Sequence, residues 1–145
     1  IGGIPLSGRI LAIDYGRRRV GFAVSDALGI TAQPLETQRP ASRAELLAHI
    51  GELIKEKEVH KIVLGHPLNM DGTKSEMTDE VESFAEELKA ATSLSVELWD
   101  ERLTSWEAEE ILGRAGLTKR QQREKGAVDR MAAQILLKSY MEAHP

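Results

Sequence analysis

Two short apolar runs near the start of the chain constrain its folding most. Ile10 to Ile13 is rich in β-forming side chains and long enough for a buried strand, and Val20 to Ser25 is a second run of the same kind. Only Asp14 to Arg19 lies between them, so the two strands must turn back on each other as a hairpin. Gly16 is the natural turn residue, because glycine accepts positive φ. The first strand therefore ends on a carboxylate, Asp14, beside a turn crowded by Arg17, Arg18 and Arg19. An acid so placed can hold a cation while guanidinium groups hold phosphate. The plainer account is a surface turn with solvated charges, and on this stretch alone it carries more weight.

The remaining chain supplies enough apolar material for one core. At 145 residues, with 41% hydrophobic and 29% charged, it fits a single globular domain over residues 1–145. The opening IGGIPLSG lacks a methionine and reads as a trimmed or added end, outside the ordered fold. There is no cysteine, which excludes disulfides and cysteine-based zinc sites and suits a reducing, cytoplasmic setting. No run approaches the roughly 18 apolar residues of a membrane span, and no signal peptide is visible. The net charge of −4 argues against a protein that coats nucleic acid non-specifically. It leaves room for a nucleic-acid enzyme, in which carboxylates at a metal site offset local arginines.

Periodicity gives the order of elements. Gly29 breaks the chain after the hairpin, and Ile30 to Glu36 is a third strand, with Pro34 marking a sheet edge. Ser42 and Glu45 form a capping-box pattern before a helix ending near Lys57, with Leu46, Ile50 and Leu53 on its apolar face. His60 to Gly65 is a buried strand, parallel to its neighbour because a helix precedes it. The segment from Gly65 to Ser75 is a polar loop, with Leu68 and Met70 as anchors to the core. Thr73 and Glu76 offer a second cap for a helix ending near Ala91. Ser95 to Trp99 is a fifth strand running into Asp100, Glu101 and Arg102. Thr104 and Glu107 cap a further helix through Leu112, and Thr118 to Glu124 is a short basic turn. The last helix spans about Gly126 to Met141. The fold class is thus α/β, with a mixed five-stranded sheet (an antiparallel meander plus parallel strands) flanked by helices.

Three acids arrive from different elements: Asp14 after the first strand, Asp100 or Glu101 after the fifth, and Asp129 on the final helix. If the first strand is central, the first two converge and the last helix can bring Asp129 over them. Clustered carboxylates repel unless a proton or cation intervenes. Hard divalent ions, Mg²⁺ or Mn²⁺, suit oxygen donors, and a pair of them about 3.5–4 Å apart can cleave a phosphodiester. Spacing alone favours a plainer account, in which Glu101 and Arg102 are a surface pair and Asp129 pairs with Lys125.

Four motifs in order shift that balance: IDYGRRRVGFAVSD (Ile13 to Asp26), GHPLNMDGTKS (Gly65 to Ser75), WDERLTS (Trp99 to Ser105) and KGAVDRMAAQIL (Lys125 to Leu136). From about Arg9 to Tyr140 the chain resembles the YqgF/RuvX family of Holliday junction resolvase-like nucleases. The resemblance implies an RNase H-like sheet and metal-dependent cleavage of nucleic acid, with Asp14, Glu101 and Asp129 as catalytic acids and metal ligands, and Asp100 as second choice. Arg17, Arg18, Arg19, Arg102 and Lys125 would contact the nucleic-acid backbone. Members of the family are linked to maturation of the 5′ end of precursor 16S rRNA, and to Holliday junctions in branched DNA. Two departures stand out: His66 replaces a common leucine, and Arg17 to Arg19 is unusually basic.

Two rival readings follow from the same residues. One is a binding module without turnover, as related RNase H-like domains act inside larger transcription factors; the intact acid set argues against it. The other is a fragment of an actin-like or sugar-kinase ATPase, whose first phosphate motif the Asp14-Tyr15-Gly16 turn resembles. Such ATPases need two domains around a nucleotide.

Overall fold

Successive side chains of a strand face opposite sides of its sheet, so a strand apolar on both faces must be covered twice. Leu11, Ala12 and Ile13 are all fully buried, which places the first strand inside the sheet with helices above and below. The computed structural model describes residues 8–102 and 127–144, and of residues 127–130 the backbone only.

Strands β1 (Arg9–Asp14), β2 (Gly21–Ser25) and β3 (Ala32–Pro34) form the antiparallel meander. Strand β4 (Val59–His66) pairs parallel with β1, and β5 (Ser95–Asp100) pairs parallel with β4. The sheet order is β3-β2-β1-β4-β5, with β1 central. Pro34 lies on the edge strand, where its missing donor costs no ladder bond. That edge strand is shorter than the run from Ile30 to Glu36 suggests. The Asp26 carboxylate accepts from Ile30 N–H at 2.7 Å and Thr31 N–H at 3.2 Å, and Gly29 takes φ 71, so Ile30 belongs to the turn.

Helices α1 (Arg43–Lys57) and α2 (Glu76–Thr92) cover one face, and α3 (Ala127–Ala143) covers the other. Leu11 and Ile13 pack with Leu46 and Ile50 of α1 and Phe84 and Leu88 of α2. Ala12, Ala23 and Val63 pack with Leu136, Leu137 and Tyr140 of α3. Ser42 caps α1, its hydroxyl accepting from Glu45 N–H. The α2 cap differs from the pair Thr73 and Glu76. Ser75 is the N-cap, and it forms a reciprocal capping box with Thr78. The Thr78 hydroxyl also donates to Pro67 O, so it must lie one turn inside the helix rather than at its start. No helix of the described residues is long and apolar enough to cross a membrane. The expected helix from Thr104 to Leu112, the turn from Thr118 to Glu124, and Lys125 fall outside the described residues.

Candidate active site

Alternation along β1 settles where its terminal acid points. Ile13 faces α1 and α2, so Asp14 faces the α3 side. On β4, Val63 faces α3, so Gly65 does too. Register then aligns the chain ends. Ile13 lies opposite Leu64, and Gly65 opposite Trp99, so Asp14 and Gly65 sit side by side just where β5 runs out into Glu101.

The two acids meet there. The Glu101 side chain folds back over β4, and its carboxyl hydrogen-bonds that of Asp14. Gly65 makes this possible, because a Cβ at that position would lie 2.5 Å from Glu101 Oε1 and 2.6 Å from Cδ. The Glu101 backbone is fixed as well, its N–H donating to His66 O at 3.2 Å. Burial, the hydrogen bond to Asp14 and the negative charges of Asp14 and Asp100 push the Glu101 carboxyl up to about 10. The upward direction favours a proton between the two carboxyls, which is how paired carboxylates escape repulsion when no cation lies between them. Two carboxyls brought this close make a place where positive charge is wanted, and the donors are hard oxygens, which fits Mg²⁺ or Mn²⁺.

Asp100 is turned elsewhere. Its carboxylate accepts from Arg102 Nε at 2.8 Å and Arg102 N–H at 2.9 Å, with Arg102 Nη2 at 2.7 Å. The Arg102 guanidinium holds the Asp100 carboxyl below its usual range. The surface pair expected between Glu101 and Arg102 is therefore made by Asp100, leaving Glu101 to Asp14. Asp129 lies near the start of α3, on the helix that covers the Asp14 side of the sheet, and its side chain falls outside the described residues. Among the described residues no three acids or histidines gather as a metal site.

The three arginines of the first turn part company. Arg17 turns to α2, with Nε 3.0 Å from Glu80 Oε1. Glu80 also accepts from the Tyr15 hydroxyl at 2.7 Å, and Arg43 Nη2 donates to that hydroxyl at 3.2 Å. Arg17 thus helps lock the turn to the helices. Arg18 is exposed. Arg19 lines an open pocket of about 200 Å³ together with Asp14, Gly16, Gly21 and Thr37. Gly16 is required for a reason other than positive φ: a Cβ there would lie 2.6 Å from Arg19 O. His66 is also engaged away from the acids, its Nε2 2.9 Å from Glu82 Oε2, which Lys74 contacts at 3.0 Å.

Sequence reasoning missed Gly65 and Thr37. Gly65 was visible only as a glycine closing an apolar strand, and its role needs the register that sets it beside Glu101. The Thr37 hydroxyl is buried without a hydrogen-bond partner at the wall of the Asp14 pocket, and no sequence pattern announces it.

A meander continued by two parallel strands, with acids at the carboxyl ends of β1 and β5, is the RNase H-like architecture. Solved structures agree on the fold. The chain superposes on T. thermophilus RuvC in complex with a Holliday junction substrate with a TM-score of 0.57 at 14% identity, covering 94% of this chain and 96% of that one. Against the fowlpox virus Holliday junction resolvase the TM-score is 0.56 at 12% identity, covering 93% and 98%. A family model described as RuvX, Holliday junction resolvase, matches residues 8–143, and the chain belongs to that family. Its relatives include proteins provisionally named pre-16S rRNA nuclease. One from Syntrophus aciditrophicus is 46% identical, over 93% of this chain and 89% of the relative. One from Lachnospira eligens is 44% identical, over 93% and 97%.

Proposed function

We propose that this chain is a metal-dependent nuclease that hydrolyses phosphodiester bonds in the 5′ region of precursor 16S rRNA. The reading rests on one observation above the rest: in a chain of the RuvX family, two carboxyls from distant segments meet over Gly65 within hydrogen-bond reach of each other. Asp14 and Glu101, with Asp129 from α3, would hold one or two Mg²⁺ or Mn²⁺ ions. Bound there, such ions make hydroxide available near neutral pH and steady the oxygen that leaves. The chain's own part is to fix the donors: the end of β1 carries Asp14, the Glu101 N–H is tied to His66 O, and Gly65 provides the clearance. Arg18 and Arg19 would draw the phosphate backbone toward the pocket, and Arg102 and Lys125 would contact it as well. A helix-mounted third acid would complete the set. The work would be done in the cytoplasm, by a single RNase H-like domain.

Branched DNA is the second substrate reading, favoured by the family's description as a Holliday junction resolvase and by the resolvase fold. A binding module without turnover would have no use for a carboxyl pair kept at this cost. Asp14→Asn and Glu101→Gln test the reading on a precursor 16S rRNA fragment and a four-way DNA junction, with Mg²⁺, Mn²⁺ or a chelator. Cleavage by the parent chain with metal, and its loss in both variants, is expected. Cleavage at the parent rate by either variant would remove that acid from the site.

A further inference from the structure

Three large apolar side chains stand out in solvent among the described residues: Leu28, Ile30 and Met70. Leu28 and Ile30 belong to the turn between β2 and β3, at the sheet end opposite Asp14. Met70, 76% exposed, belongs to the loop that leaves β4 at the same end as the acids. The expected anchoring of Met70 to the core is not what the structure holds. Leu68 is half-buried, whereas Met70 projects from the tip of a closed turn.

That turn is closed by hydrogen bonds of its own. Gly72 N–H donates to Asn69 O at 2.8 Å, which makes Met70 the first central residue of a β-turn with asparagine leading and glycine closing it. Asn69 N–H donates to Thr73 O at 2.9 Å, and the Asp71 carboxylate accepts from both the N–H and the hydroxyl of Thr73. Gly72, at φ 87, abuts Arg102: a Cβ on it would lie 3.5 Å from Arg102 Nη1. Arg102 follows Glu101, and Glu101 N–H is itself tied to the first residue before the loop. The loop is thus tied to the acid-bearing segment at its root, and its tip lies beside Arg102. Met70 lies two residues from Gly72, within about 7 Å along the chain.

We propose that Met70 is a substrate-specificity residue: an apolar wedge that enters the base stack next to the phosphodiester held at Asp14 and Glu101. The proposal rests on the nuclease reading. A thioether held in solvent on a preformed turn gains free energy when an apolar ligand surface covers it. Nucleic-acid bases offer such faces, sulfur packs well against aromatic rings, and methionine is among the side chains that part base steps. The Asp71 carboxylate is turned back onto the loop by the Thr73 N–H and hydroxyl, with the Arg102 charge nearby. A wedge here favours substrates whose bases part readily at the cleaved step, such as a bulge, a helix end or a branch, over uniform duplex.

The test uses the full chain with Met70→Ser and Met70→Leu. Substrates are a branched or bulged nucleic acid carrying 2-aminopurine beside the cleaved bond, and a single strand of the same sequence. Met70→Ser should lower the ratio of structured to single-strand kcat/KM about tenfold, with an unchanged melting temperature. It should also abolish the 2-aminopurine fluorescence rise on binding, and Met70→Leu should restore both. An unchanged ratio with the fluorescence rise intact would overturn the proposal. So would loss of self-association in Met70→Ser with cleavage unaltered, which would assign the residue to a contact between copies. If the parent chain cleaves nothing with either metal, the nuclease reading falls separately, and the fluorescence rise in Ca²⁺ still decides the wedge.

Discussion

Glu101 is the residue on which chemistry and stability pull in opposite directions. Its folded carboxyl is raised from 4.5 to about 10 by burial and by Asp14, so the folded chain keeps a proton that the unfolded chain releases. Stability is therefore lost as pH rises above the unfolded value, and the loss continues up to the folded one. With a chelator present, urea midpoints should fall between about pH 5 and 9 in the parent chain and fall less in Glu101→Gln. A parent chain no more pH-sensitive than the variant would mean that Asp14 and Glu101 do not share a proton. Gly65 supplies the second residue-scale prediction. An alanine would meet only the far end of the flexible Glu101 side chain, so the fold should survive while the carboxyl is pushed off Asp14. Gly65→Ala should keep its melting temperature and lose about 10²-fold in metal-dependent cleavage, the scale of a misplacement of about 1 Å. Full activity in this variant would show that Glu101 reaches the site by another path. Neither the raised carboxyl nor the glycine clearance is legible in sequence, because both depend on two segments meeting. The motifs point to Asp14, Glu101 and Asp129 as the acids, and the structure turns Glu101, not Asp100, to Asp14.

At the scale of elements, short-range patterns worked where local chemistry decides and failed where tertiary contacts do. The hairpin, the two parallel strands and α1 follow from apolar periodicity and from a serine cap, all local signals. The α2 cap moved to Ser75 because Thr78 is needed under the loop, where its hydroxyl reaches Pro67 O. Ile30 left the edge strand because Asp26 closes the turn around it. Hydrophobicity alone groups Met70 with Leu68, and no local pattern distinguishes an anchor from a projecting tip. Ser75→Ala removes one half of the α2 capping box and should cost about 1 kcal/mol, read by urea unfolding. Because the same box seats the loop after β4, that variant should also speed proteolytic nicking between Pro67 and Lys74. Unchanged stability and unchanged nicking would mean that the cap does not hold this loop.

At the scale of the molecule, two cores pressed on one sheet keep the acids in place. Phe84 is fully buried and its ring stands 4.8 Å from that of Tyr15, whose hydroxyl joins Glu80 and Arg43. The residue after Asp14 is thereby pinned to the helices on the opposite face from Asp14 itself. Phe84→Ala should cost about 3–5 kcal/mol; a loss below about 1 kcal/mol would show that this core does not carry the sheet. The family, the order of layers and the central place of β1 were all within reach of the motifs and spacings. The convergence of side chains was not, because it depends on strand register, which a single strand's pattern does not encode.

The claim beneath all of this is that Asp14 and Glu101 form one pocket for a hard cation. Its most direct test is Mn²⁺ binding, followed by the loss of the free-ion resonance signal in titrations of the parent chain, Asp14→Asn and Glu101→Gln, each confirmed as folded. The account predicts saturable binding by the parent chain that both single variants abolish or weaken at least about tenfold, within the cost of losing one oriented ligand. Binding by both variants at the parent affinity would contradict it.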